Sequence, residues 1–280
     1  MSGRTPDPVV FLFPGLTSDL AELSALQAGC RNTLSAVPIG YPHWTEIRGH
    51  ALGLDDFVAQ CQHQVEAHPS PGPKLLAGYS FGGHIAFAVA AAMEASGARV
   101  GRLGLLDTAA IPPVESRPRS TTRRLRDLVN AFRTGQLDSQ VGRIIAGLMR
   151  LSGYEWPMRL AARLRHVRLP RHMEKHIDLA LQMHFNFQIL LELLDLLSGP
   201  CAPCRFPAVL FRCINHGPDE PDDLLWSRHL AHLRIVPILG DHLSLMNPPN
   251  IASLCKAFGS AMTDAPARSG GLRDQAHMTS

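Results

Sequence analysis

A serine stands between two glycines at residues 78–82, Gly78-Tyr79-Ser80-Phe81-Gly82, where an apolar run (KLLAGY, 74–79) gives way to an Ala-rich one. A serine hydroxyl is a weak nucleophile unless a base takes its proton, an acid orients that base, and donors hold the oxyanion that forms on attack. G-x-S-x-G at a strand-to-helix junction exposes the serine to such groups, because the sharp turn presents the hydroxyl at the top of a sheet. The base should lie on a loop after a late strand, where open α/β sheets build their sites. His242 in IVPILGDHLSLM has that setting. Of the other thirteen histidines, His216 in CINHGPDE is its rival, and His84, four residues past Ser80, can only line or cap the pocket. Asp107 ends the apolar run LGLLD, one strand-helix-strand unit after the serine, and is the favoured acid; Asp219 or Asp222, after PAVLFRC, is the other option. A carboxylate closing an apolar strand is costly without a partner, which favours Asp107. The backbone N–H of Phe81 is the first oxyanion donor, and that of Leu16 in FPGLTSD the second, with Thr17 behind it.

Strands and helices must bring these residues together. VVFLF (9–13), LSAVPI (34–39), KLLAGY (74–79), RVGRLGLLD (99–107), PAVLFRC (207–213) and LRIVPIL (233–239) read as buried strands. Helices are expected at 53–67, where Leu54, Phe57, Val58, Cys61 and Val65 share a face, at 81–96 with Gly97 as C-cap, and at about 221–231 and 249–262. PGLTSDLAEL after the first strand reads as loop. Strands alternating with helices predict a mostly parallel α/β sheet covered on both faces. Residues 112–200 hold no strand-like run and read as a helical insertion above the sheet. Within them 173–198 is apolar nearly all round and should be largely buried. Residues 1–262 then form one domain, and 263–280 a small, polar tail expected to be disordered.

The chain has 280 residues, 45% hydrophobic and 18% charged, with a net charge of +3, too weak a balance to argue for nucleic acid. No run reaches the roughly 20 apolar residues of a membrane helix, and the amino terminus lacks a secretory apolar core. The expectation is a cytoplasmic protein. Six cysteines in a chain this long do not suggest a disulfide framework. Cys201-x-x-Cys204 has no second ligand pair nearby and reads as two loop cysteines, with no metal expected.

VVFLFPG, LLAGYSFGGHIAFAVA, RVGRLGLLDTAAIP, PAVLFRC and VPILGDHLSLM resemble, in order, successive blocks of the thioesterases of nonribosomal peptide and polyketide assembly lines, in the α/β-hydrolase superfamily. The resemblance spans about residues 8–260. It implies an α/β-hydrolase fold with the helical insertion as a lid. It also implies a Ser80-His242-Asp107 acyl-enzyme mechanism that releases a chain from an acyl or peptidyl carrier protein, by hydrolysis or cyclisation. Release-type domains of this family carry the acid where Asp107 stands; stand-alone editing enzymes usually carry it one strand later. The first loop, PGLTSDL, is shorter than the family's Gly-rich one, and AFAVA replaces the family's acidic AFE. No cofactor of the enzyme's own is implied, since the substrate rides on the partner's phosphopantetheine. Tyr79, Met183 and Phe187 are candidates for the acyl pocket. Arg119, Arg123 and Arg124 in SRPRSTTRRLR are candidates for docking an acidic carrier protein. A carboxylesterase or lipase on the same scaffold is the alternative, and a non-catalytic binding protein a further one.

Overall fold

The computed structural model of the chain describes residues 8–110, 171–216 and 220–264. Among the described residues six strands form one sheet: β1 (Val9–Phe13), β2 (Ser35–Pro38), β3 (Lys74–Tyr79), β4 (Val100–Leu106), β5 (Cys204–Cys213) and β6 (Leu230–Ile238). Their spatial order is β2-β1-β3-β4-β5-β6, and every pairing is parallel. Among the described residues the helices are α1 (Ser24–Cys30), α2 (Trp44–Gly49), α3 (Leu54–Ala67), α4 (Phe81–Ala95), α5 (Arg171–Ser198) and α6 (Asn250–Thr263).

Side chains alternate across a strand, so each strand feeds two cores. Phe11, Phe13, Leu103, Leu105, Ala208 and Leu210 pack against α3, α4 and α5. Val10, Leu12, Leu106, Val209 and Phe211 pack against α1 and α6. The expected face of α3 is buried throughout (Leu54, Phe57, Val58, Cys61, Val65). Gly97 follows α4 with φ +80° and donates its N–H to the Glu94 carbonyl at 3.0 Å, as a helix stop requires. These two covered faces, with β3 and β4 central, make the α/β-hydrolase arrangement that positions the site.

Four expectations need correction. DLAEL is not loop: Leu20–Leu23 is a 3-10 turn capped by the Asp19 side chain, and it leads into α1. Strand β5 begins at Cys204 rather than Pro207, with a register irregularity between the two that accommodates the proline. The helix expected at 221–231 does not form. Leu224 and Leu225 take φ +45° and +68°, only Trp226–Arg228 makes a 3-10 turn, and β6 starts at Leu230. The reason is tertiary: Trp226 is fully buried against Phe87 of α4 and donates its ring N–H to the Thr108 carbonyl at 2.6 Å. Finally, α5 is less enclosed than its composition suggested. Leu181, Met183, Ile189, Leu193 and Leu197 are buried, while Leu191 and Leu196 face outward, Leu196 at 63% exposure.

Candidate active site

Ser80 joins β3 to α4 with φ +55° and ψ −119°. A residue with a side chain adopts that region only when its surroundings impose it. Close backbone approach does so here. A Cβ on Gly78 would lie 2.0 Å from the Gly82 carbonyl oxygen, and one on Gly82 would lie 2.1 Å from that of Phe13. The elbow is also tied to β4: Ser80 N–H donates to the Leu106 carbonyl at 3.3 Å, and the Thr108 hydroxyl donates to the Ser80 carbonyl at 3.1 Å.

The loop after β6 reaches back over the ends of β5 and β4. His242 Nε2 lies 3.0 Å from Ser80 Oγ, and its Nδ1 lies 3.0 Å from Asp107 Oδ2. Tyr79 holds this loop from below. Its hydroxyl donates to the His242 carbonyl at 2.5 Å, and its ring stacks on the imidazole with centroids 5.2 Å apart. The residue expected as pocket lining thus lies under His242.

Asp107 follows β4 directly, its side chain wholly buried and its φ at +49°. Burial alone would raise its carboxyl. Bonds from His242, from His216 and from the Cys213 N–H (2.9 Å to Oδ1) outweigh burial and hold it well below the usual carboxylate range. His216 does not bond to Ser80; its Nε2 lies 2.7 Å from Asp107 Oδ1, the oxygen that His242 leaves free. Its Nδ1 meets the Glu220 carboxylate. Asp222 is turned outward, 3.8 Å from Arg212, and Asp219 lies outside the described residues.

Phe81 opens α4, so its N–H belongs to the helix start, where no intrahelical acceptor exists. The loop bearing Leu16 is tightly held. The Gly15 carbonyl accepts from Ser18 N–H at 3.1 Å, which turns the trans-linked Leu16 N–H the opposite way. Glu22 takes the Gly15 N–H and lies 3.4 Å from the Thr17 hydroxyl. From α5, the fully buried Asn186 donates to the Leu16 carbonyl at 2.9 Å and to Ser18 Oγ at 2.7 Å. Gln182 donates to Asn186 at 3.1 Å and to the Pro42 carbonyl at 3.1 Å. Nothing in the local sequence singles out these two amides. They are two polar residues among several on this helix, four apart on one face.

His84 is buried with its ring nitrogens 3.2 Å from the Ser80 carbonyl and 2.8 Å from that of Ala109. Burial pushes its imidazole down to about 4, so it is neutral and braces the elbow. On α5, Met183 is buried and Phe187 half-buried. Arg119, Arg123 and Arg124 lie outside the described residues, as does most of the expected insertion. Cys201 Sγ meets His229 Nδ1 at 3.2 Å while Cys204 starts β5. Among the described residues no group of His, Cys, Asp or Glu could hold a metal ion, and no helix is long and apolar enough to cross a membrane.

A serine, an imidazole and a buried carboxylate in line, beside the helix-start N–H of Phe81, can carry out nucleophilic acyl transfer. The family model described as Thioesterase domain matches residues 10–152, just over half of the chain. A search of curated proteins returns no match. Among solved structures, the Vlm2 thioesterase domain superimposes with a TM-score of 0.61 at 18% identity, covering 94% of this chain and 97% of that one. The NocB thioesterase domain, solved as a covalent complex with a fluorophosphonate nocardicin G analog, gives 0.59 at 16% identity, covering 93% and 96%. AB3403, a four-domain nonribosomal peptide synthetase, gives 0.64 at 17% identity; the match covers 93% of this chain and 20% of that one. At these identities the likeness speaks for the fold.

Proposed function

The chain belongs to the thioesterase-domain family, and we propose that it releases an acyl, polyketide or peptidyl chain from the phosphopantetheine of a carrier protein through an acyl-enzyme on Ser80. The observation that carries this reading is the unbroken line from Asp107 through His242 to Ser80, with both hydrogen bonds at 3.0 Å.

In this mechanism His242 Nε2 takes the Ser80 proton as Oγ attacks the thioester carbonyl. Asp107 holds the Nδ1–H tautomer and stabilises the imidazolium that forms. The N–H groups of Phe81 and Leu16 receive the oxyanion; one such donor is worth about 3–4 kcal/mol of transition-state stabilisation in a comparable hydrolase. His242 returns the proton to the departing phosphopantetheine thiol, which leaves the acyl group on Ser80. In the second half, His242 deprotonates water, or a nucleophile within the chain itself, and the product leaves as an acid or a ring. Met183 and Phe187 are the proposed lining on the acyl side. The fold likeness to the Vlm2 thioesterase domain, and to a multidomain peptide synthetase, supports a carrier-borne substrate.

The test is a panel of loaded carrier proteins of varied chain length beside matched small thioesters and oxygen esters, read by intact mass. Wild type should deacylate loaded carrier, and Ser80→Ala should lose at least about 1,000-fold of that activity. Undiminished turnover by Ser80→Ala would sink the reading. Preference for small oxygen esters, with indifference to the carrier, would replace it with a carboxylesterase.

A further inference from the structure

Asp107 serves two histidines. Oδ2 faces His242 at 3.0 Å, and Oδ1 faces His216 at 2.7 Å together with the Cys213 N–H at 2.9 Å. The carboxylate thus accepts three N–H donors and is ionised. His216 has a second acidic neighbour, since its Nδ1 meets Glu220. A neutral imidazole has one donor and one acceptor nitrogen. With a carboxylate oxygen at each nitrogen, both contacts are favourable only when both nitrogens carry protons. We propose that His216 is a positioning residue for the Ser80–His242 pair: an imidazolium clamped between Asp107 and Glu220, which fixes the Asp107 carboxylate and offsets part of its charge toward His242. The inference rests on the acyl-enzyme reading for its consequence, though not for the state of His216 itself.

The sheet order makes the arrangement possible. Strand β4 lies between β3, which carries Ser80, and β5, which carries His216 on its following loop, so Asp107 borders both. Among the described residues the groups facing His216 are Asp107 and Glu220, with Arg212 on the β5 end bonded to the Glu220 carbonyl at 3.3 Å. Those around His242 are Asp107, Asp241, His84 and the stacked Tyr79. The His216 imidazole is held above its ordinary value: burial opposes the charge, and the bonds to Asp107 and Glu220 outweigh burial.

A cation on one side of a carboxylate weakens that carboxylate's pull on an imidazolium forming on the other. His216 therefore offsets part of the Asp107 charge that His242 meets. Replacing His216 by Gln retains an N–H for Oδ1 and removes the charge.

Two measurements test this. The first follows the His216 ring proton by NMR in the Ser80→Ala variant, which needs no activity. It should titrate above an ordinary histidine, and in Glu220→Gln its midpoint should fall. An ordinary midpoint, or one indifferent to Glu220→Gln, overturns the proposal. The second follows the rate at which a fluorophosphonate labels Ser80 as a function of pH, which needs the nucleophile but no carrier substrate. His216→Gln should move the acid limb of that rate upward by about one pH unit. A uniform loss of rate with the limb unmoved marks a merely structural role and overturns it. A chain that labels with this pH behaviour but ignores loaded carriers would retain this inference while losing the proposed substrate.

Discussion

Tyr79 does two things for His242 that separate cleanly by mutation. Its ring stacks on the imidazole, and its hydroxyl donates to the His242 carbonyl at 2.5 Å. Tyr79→Phe keeps the stack and deletes the bond, worth about 1 kcal/mol in a part-buried setting. If that bond steadies the base rather than the fold alone, the loss falls on the transition state. The expected result is a drop of about five-fold in kcat with KM unchanged, read from steady-state deacylation of a loaded carrier. A change confined to KM would show that Tyr79 meets substrate instead. At this scale Ser80, His242 and Asp107, which the structure brings into line, were visible because each stands at the end of an apolar run. His216 and Glu220 were harder to read: CINHGPDE marks His216 as a loop histidine after a strand, which fits a base equally well. Only the distance to Asp107 Oδ1 separates the two roles.

At the scale of elements, α5 does more than cover the sheet. Glu192 accepts the N–H of Leu54 at 2.9 Å and so caps α3. Gln182 ties down the Pro42–Trp44 segment, and Asn186 ties down Leu16 and Ser18. Ser18 has φ +59°, a conformation that needs such support. Asn186→Leu keeps the branched heavy-atom frame but leaves the Leu16 carbonyl without this donor and the Gln182 amide without one of its acceptors, at roughly 1–3 kcal/mol for each buried group left unsatisfied. The variant should unfold at lower denaturant with an unchanged slope. It should also lose kcat beyond what its residual folded fraction explains, because the Leu16 N–H moves. Stability loss with full activity per folded molecule would place the Leu16 loop outside the chemistry. The long elements were legible in the sequence because parallel strands buried on both faces read as unbroken apolar runs, and α3 shows its period over four turns. The short α1 and α2 span seven and six residues, too few to display one. The false helix at 221–231 had the right composition, but Trp226 gains more by burial against Phe87 than the segment gains by coiling.

For the molecule as a whole, stability should depend on acid in two separate windows, set by groups braced against the elbow and the sheet end. His84 is held neutral by burial down to about 4, whereas an unfolded histidine protonates near 6.5. Between those values the unfolded chain binds a proton that the folded one refuses, so stability falls as pH drops through that window. The loss from this one residue is about 2 kcal/mol between pH 7 and pH 5. Asp107 acts lower. Its folded value lies below that of an unfolded aspartate, so its contribution is present above about 3.8 and is lost as pH falls toward the folded value. His216 runs the other way, since its raised value contributes most below about 6.5 and fades as pH rises through the folded value. His184 and His229, also pushed down by burial, share the sign of His84. A wild-type curve therefore mixes several sites, and the informative quantity is the difference from His84→Gln. That variant can still donate to a carbonyl but cannot take up the proton. Urea unfolding at pH 7 and pH 5 should show the wild type losing about 2 kcal/mol more than the variant over that interval. Equal losses would mean that His84 is protonated in the folded protein at pH 5, and that burial around the elbow is looser than its contacts with Ser80 and Ala109 imply.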